Sequence, residues 1–230
     1  FDNIENYSNE EIAFVVAEAF IANEIPESIL KQIVAETINF PFPLKELGYK
    51  KYALELFHGP TFAFKDVGAR FMAGVLTYAI QKENKKLNII VATSGDTGSA
   101  VASAFHRIPN IEVNILYPKG KVSEMQQMQL TTWGDNIHAI ELEGNFDDCQ
   151  KIAKQLLNDK DCSDNQLLSS ANSINIARLL PQAFYYFIAY KELKKFNLRQ
   201  QDWREHIMID VQAGYSAWLK ATTSFNNQYH

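Results

Sequence analysis

From Tyr52 onward the chain alternates short apolar runs with amphipathic stretches, and this rhythm limits the fold more than any other feature. Strands are read at 53–56, 87–92, 112–117 and 136–142, and helices at 66–82, 97–106, 123–132 and 146–158. Strands that alternate with helices of this length pair in parallel, because a parallel neighbour is reached through a crossover helix. The expected fold class is therefore α/β, with a doubly wound, mostly parallel sheet and binding sites at the carboxyl ends of its strands. On that reading Lys65 and Ser94 both fall at such ends. Two packing helices come first: 10–23 carries Ile12, Val15, Val16, Ala19 and Phe20 at helical spacing, and Pro26 starts a second that runs to about Glu36. Pro41 and Pro43 then interrupt the pattern. Near the other end, Phe184-Tyr185-Tyr186-Phe187-Ile188-Ala189-Tyr190 reads as the core face of a helix over 174–195, since no basic groove accompanies its aromatic rings.

At 230 residues, 47% hydrophobic and 21% charged, the chain has the means to bury one large or two modest cores. A net charge of −5 argues against a nucleic-acid partner. No apolar run approaches the roughly 20 residues of a membrane span, and no signal-peptide pattern opens the chain, so a cytoplasmic location is expected. The two cysteines, Cys149 and Cys162, lie among polar sequence neighbours without His or Cys at metal spacing. Neither a metal site nor a thiol nucleophile is expected.

Three segments carry the chemistry. In Leu56-Phe57-His58-Gly59-Pro60-Thr61-Phe62-Ala63-Phe64-Lys65-Asp66, one cation ends a stretch of apolar and turn-forming residues. A desolvated lysine favours its neutral amine, which attacks carbonyls to form Schiff bases; a lysine here equally fits a solvent-facing first turn of a helix. Thr93-Ser94-Gly95-Asp96-Thr97-Gly98 joins a strand to a small-residue helix. Such a turn aims backbone N–H groups and a helix dipole at an anion, although it also reads as an ordinary capped βα turn. Its Gly-x-x-Gly spacing is not the dinucleotide fingerprint. Ser169-Ser170-Ala171-Asn172-Ser173-Ile174-Asn175-Ile176-Ala177-Arg178 gathers hydroxyls, amides and a guanidinium at a helix start. Asn172 or Ser173 would cap that helix, with Asn175 and Arg178 on one face. The guanidinium fork suits a phosphate or carboxylate; a capped helix with a surface ion pair is the other reading.

The chain resembles the threonine synthases, pyridoxal-phosphate enzymes of the tryptophan-synthase β-like group (fold type II). The resemblance rests on Leu54-Glu55-Leu56-Phe57-His58-Gly59-Pro60-Thr61, Phe64-Lys65-Asp66, Gly68-Ala69-Arg70-Phe71-Met72, Ala92 through Gly98, Ile115-Leu116-Tyr117-Pro118-Lys119-Gly120-Lys121 and Ser170-Ala171-Asn172-Ser173-Ile174-Asn175. It implies pyridoxal 5'-phosphate as cofactor and conversion of O-phospho-L-homoserine and water into L-threonine and phosphate. Lys65 would hold the cofactor and shuttle protons, with Phe64 and Asp96 beside it. Ser94, Gly95, Asp96 and Thr97 would grip the substrate carboxylate, and Asn172, Ser173, Asn175 and Arg178 the substrate phosphate. The implied division is a helical segment 1–45, a large cofactor domain from 46–96 and 160–211, a smaller mobile α/β domain 97–159, and a tail 212–230 outside the family. A monomer or homodimer is expected.

The departures from the family are as definite as the matches. After Ile207-Met208-Ile209-Asp210-Val211 the family continues into a Ser-Gly-Asn-Phe-Gly-type loop around the cofactor phosphate, whereas this chain reads Gln212-Ala213-Gly214-Tyr215-Ser216. A truncated chain is expected, lacking the family's extension ahead of Phe1 and its long C-terminal portion, with a shifted reading frame near Val211 as one origin of the tail. Two functions of different class follow: a threonine synthase with impaired turnover, or a non-catalytic phosphate- or amino-acid-binding relative.

Overall fold

The computed structural model describes residues 3–21, 24–48, 51–81, 85–159, 166–172 and 174–195. The expectations placed on Cys162, Ser173 and everything after Lys195 lie outside the described residues. The chain divides into two compact units, one drawn from the described residues of 1–59 and 179–230, the other being 60–178. The segment 97–159 lies within the second.

In the first unit, α1 (Asn9–Ile21) starts at a reciprocal cap: Glu11 N–H donates to the Ser8 hydroxyl at 3.0 Å, and Ser8 N–H to the Glu11 carboxylate at 2.7 Å. It buries Ile12, Ala13, Val16 and Ala17, while Phe20 is exposed. The inward stripe therefore runs through small alanines that let neighbouring helices approach, rather than through the larger Val15 and Phe20 that the spacing suggested. Helix α2 (Glu27–Thr37), with Pro26 at its N-cap, buries Leu30, Ile33, Val34 and Thr37, a regular i, i+3, i+4, i+7 face.

The next element corrects the sequence reading. Strand β2 (Lys51–Leu54) does not join the parallel sheet. It pairs antiparallel with β1 (Leu44–Gly48), from Leu44 opposite Leu54 to Gly48 opposite Lys51. The expected strand at 53–56 is thus half of a hairpin whose first strand follows directly on Pro43.

The second unit holds the parallel sheet. Its strands β3 (Leu87–Ala92), β4 (Ile111–Pro118), β5 (Ile137–Leu142) and β6 (Leu167–Ser170) lie in the order β5-β4-β3-β6, all parallel. Helices α3 (Lys65–Gln81), α4 (Asp96–Phe105) and α5 (Glu124–Thr131) cover one face, against Leu87, Ile89, Val91, Ile111, Val113, Ile115 and Tyr117. Helix α6 (Phe146–Asn158) covers the other, against Ile90, Ala92 and Leu116. Odd and even residues of β3 and β4 thus enter separate cores, as the two-residue period of a strand requires of a sheet buried on both sides. Cys149 is buried in the α6 core with Ile90, Ala92, Leu116 and Ala153, and burial raises its thiol pKa, Asp148 adding to the effect. Its polar sequence neighbours face elsewhere.

The expected helix over 174–195 is three pieces. Helix α7 (Ile176–Leu179) gives way to a 3₁₀ turn at Leu180–Ala183 and then α8 (Phe184–Lys194). Pro181 lacks the N–H a continuous helix would use and its ring crowds the preceding turn, so the chain tightens there. Phe184, Tyr185, Phe187 and Ile188 are buried, as their composition suggested.

Candidate active site

The strand order contains a switch point. From β3 the chain moves outward to β4 and β5, then returns to the opposite side of β3 as β6. The strand order thus reverses between β3 and β6, whose carboxyl ends lie side by side, and ligands of doubly wound sheets bind beyond strand ends at such reversals. Helix α3 adds its N-terminus. Lys65 is that helix's first residue rather than the end of a sheet strand, which corrects the position expected for it.

Lys65 is held from both sides of the chain's direction. On its C-terminal side Asp66 is buried, and its carboxylate accepts from the Thr61 N–H at 3.0 Å and the Thr61 hydroxyl at 2.5 Å. This clamps the turn 61–66, in which Phe62 adopts a left-handed φ of 57°. The Lys65 carbonyl accepts from the Arg178 guanidinium at 3.4 Å. The Lys65 side chain is 27% exposed, with Nζ 3.9 Å from Asp96 Oδ2 and 5.3 Å from the centre of the Phe64 ring. Burial moves its pKa below the ordinary lysine value; Asp96 opposes this and Arg178 adds to it. Desolvation penalises the ammonium and leaves a larger share of neutral amine at a given pH.

The loop after β3 is organised by Thr93, which sequence reading passed over. Its buried hydroxyl accepts from the N–H groups of Gly95 at 3.0 Å and Gly98 at 2.9 Å. Gly95, at φ 142°, makes the tight entry into α4. Ser94 and Asp96 stay exposed, and Thr97 is half-buried. The first N–H groups of a helix have no partner within it and attract negative charge. Across the loop, Gln126 Nε2 donates to Asp96 Oδ1 at 2.9 Å.

The segment after β6 differs from its expected form. Asn172 does not cap a helix: its side-chain amide donates to the Ala92 carbonyl at 3.0 Å and its oxygen accepts from the Ala92 N–H at 3.3 Å, joining the ends of β3 and β6. Asn175 precedes the helix rather than sharing a face with Arg178. Its oxygen accepts from Ala177 N–H at 3.0 Å and its amide donates to the Ser170 carbonyl at 3.1 Å. Arg178 is buried, with Nε donating to the Ala171 carbonyl at 3.2 Å. The amides and the guanidinium spend these donors on backbone, and what they hold is the floor beneath Lys65 and the β3 loop.

A sheet switch point, a partly desolvated lysine at a helix start and a turn that leads into a helix N-terminus fit an aldehyde cofactor, and the family match supplies the class. The chain belongs to that family: the family described as "Pyridoxal-phosphate dependent enzyme" matches residues 35–183. Within it, the chain is similar to threonine synthases. It is 45% identical over 199 residues to that of Escherichia coli, covering 86% of this chain and 45% of the relative. It is 35% identical to that of Saccharomyces cerevisiae, over 83% of this chain and 41% of the relative. The solved Escherichia coli threonine synthase aligns with a TM-score of 0.79 at 44% identity, covering 86% of this chain and 45% of that one. The pyridoxal-phosphate-bound Brucella melitensis threonine synthase aligns at 0.75 and 41%, covering 82% and 42%. The chain thus spans less than half the length of these relatives. Among the described residues no helix is long and apolar enough to cross a membrane.

Proposed function

We propose that this chain carries the lysine-bearing part of a threonine synthase, which converts O-phospho-L-homoserine and water into L-threonine and inorganic phosphate. The observation that carries the reading is the placement of the Lys65 amine, mostly buried at the first residue of α3 and 3.9 Å from Asp96 Oδ2 of the β3 loop, where burial lowers its pKa. This is the state a Schiff-base lysine needs. The residues present fit an aldehyde cofactor: Lys65 would hold it, with Phe64 and Asp96 beside it. When bound, pyridoxal phosphate supplies an electron sink for carbanions at the substrate's carbons.

The chain's own residues do the rest. Lys65 Nζ takes and returns protons, a role for which a lowered pKa brings the amine nearer working pH. Ser94, Gly95, Asp96 and Thr97 orient the substrate carboxylate through the leading N–H groups of α4 and their hydroxyls. Thr93 keeps that loop in one shape, so little ordering remains to be done when an anion arrives. Asn172, Ser173, Asn175 and Arg178 belong to the phosphate end, where the structural bonds of the two asparagines and the arginine give that end a rigid base. A cytoplasmic monomer or homodimer completes the reading.

The test is visible absorbance of the purified chain mixed with pyridoxal phosphate, beside Lys65→Ala, followed by phosphate release from O-phospho-homoserine. A cofactor band lost in Lys65→Ala is expected, with phosphate release weak or absent because the sequence after Val211 lacks the family's cofactor-phosphate loop. A folded chain with neither would make it a non-catalytic binding relative.

A further inference from the structure

Gln126 stands at the start of α5, outside every segment the function has so far used, yet its amide is committed at both ends. Its oxygen accepts from the Ser123 N–H at 3.2 Å and the Ser123 hydroxyl at 3.1 Å, completing a reciprocal cap with the Ser123 hydroxyl that receives Gln126 N–H. With the oxygen fixed there, the nitrogen must face away from Ser123, and it meets Asp96 Oδ1 at 2.9 Å. The other carboxylate oxygen, Oδ2, is the one 3.9 Å from Lys65 Nζ. Gly95 makes room for this arrangement. A Cβ at Gly95 would lie 2.3 Å from Gln126 Nε2 and 2.4 Å from its Cδ.

We propose that Gln126 is a positioning residue for the reactive lysine: it holds the Asp96 carboxylate by one oxygen and so keeps the other from closing onto the Lys65 amine. The proposal rests on the reading of Lys65 as the reactive amine. Asp96 is half-exposed, and the contacts that orient its carboxylate are the Gln126 bond and the longer approach to Lys65. Once released, an acceptor that has lost its donor turns to the nearest cation. The ion pair shortens and the amine is held more firmly as ammonium. The charged groups bearing on Lys65 are Asp96 on α4 and Arg178 on α7, and only Asp96 touches Gln126. The spacing Ser123-x-x-Gln126 is that of a capping box, and the second duty of Gln126 toward Asp96 emerges only in the fold.

The test requires neither cofactor nor substrate. Lys65 acetylation by limiting acetic anhydride is followed by mass spectrometry across pH in the intact chain, Gln126→Met, Asp96→Asn and the double variant. Gln126→Met is expected to raise the midpoint by about half a unit, so that labelling below it slows about threefold. In the Asp96→Asn background the same change should do nothing, because the group it acts through is gone. A wild-type midpoint in Gln126→Met, or a shift that persists in the double variant, overturns the proposal. Should Gln126→Met fail to fold, Gln126→Glu keeps the capping box and loses the donor; its new charge acts on Lys65 in either background, so the readout is the part of its upward shift that disappears with Asp96→Asn, and a shift of equal size in both backgrounds is then the refutation. Loss of the cofactor band with this cycle intact would count against the threonine synthase reading and leave the Gln126 role standing.

Discussion

The backbone of α3 passes so close to Arg178 that a Cβ on Gly68 would lie 2.6 Å from the Arg178 carbonyl oxygen. The same arginine reaches back to the Lys65 carbonyl, one helical turn earlier. Helix α3 and the start of α7 are therefore locked at two points, one steric and one polar, and Lys65 sits at the end of the helix so fixed.

Gly68→Ala follows from this contact. In a free helix the change would gain up to about 1 kcal/mol of propensity. Here the obstacle is backbone, which cannot rotate aside, and overpacking of this kind costs about 1–3 kcal/mol. The urea midpoint should fall. A rise would mean that the α7 backbone moves freely away from α3.

Asp66 gives a prediction with two arms. Asp66→Ala leaves the buried Thr61 N–H without its acceptor and should cost about 2–4 kcal/mol in chemical denaturation. Asp66→Asn keeps an acceptor for that N–H, and its amide can donate to the Thr61 hydroxyl, so a loss below about 1 kcal/mol is expected. Burial raises the Asp66 pKa, the Thr61 and Ala63 bonds and Arg70 only partly offsetting it. A raised folded-state value means the group's stabilisation is complete below the unfolded carboxylate pKa and is lost as pH rises through the folded one. Asp66→Asn should therefore flatten the stability profile between those two values. An unchanged profile would exclude Asp66 as its source.

Three of the four parallel strands were legible because their signals are local, whereas β6 at Leu167–Ser170, short and ending in two serines, was not among the expected strands. Strand 87–92 and helix 146–158 fall where periodicity put them, and both run along a sheet buried on two faces. What failed was decided by tertiary partners. The strand at 53–56 looked like any other, and only its pairing with β1 places it in a separate hairpin. Arg178 read as a surface or anion-binding cation, because no sequence pattern reveals two backbone carbonyls waiting for it, one of them at Lys65. Thr93 escaped notice among the hydroxyls of its loop, since Ser94 and Thr97 have the same chemistry and differ only in where the turn aims them.

Asn172 separates donor from acceptor chemistry. Its side chain meets both the N–H and the carbonyl of Ala92, as a backbone neighbour would. Asn172→Ala should cost about 1–3 kcal/mol, the range for leaving buried backbone groups unpaired. Asn172→Asp still accepts from the N–H but sets a second oxygen against the Ala92 carbonyl. It should be at least as destabilising as alanine above the carboxylate pKa, and should recover in acid, where a protonated carboxyl can donate again. Thermal melts at two pH values distinguish the cases. An aspartate variant as stable as the parent at neutral pH would show that the Ala92 carbonyl is satisfied without Asn172.

Gly95 contrasts with Gly68, because the atoms a Cβ would meet belong to the flexible Gln126 side chain while its φ of 142° lies where L residues are strained. Gly95→Ala therefore carries two penalties of different origin. The conformational one, about 1–3 kcal/mol, persists whatever surrounds the loop. The steric one is relieved when Gln126 moves, at the expense of its bond to Asp96. In a cycle with Gln126→Ala, the double variant should lose less stability than the sum of the singles, since shortening residue 126 removes the collision. The loss that Gly95→Ala still causes in the Gln126→Ala background measures the backbone strain alone. Strict additivity would mean that the methyl never met Gln126, and that the closeness of the amide to the loop is not what requires glycine there.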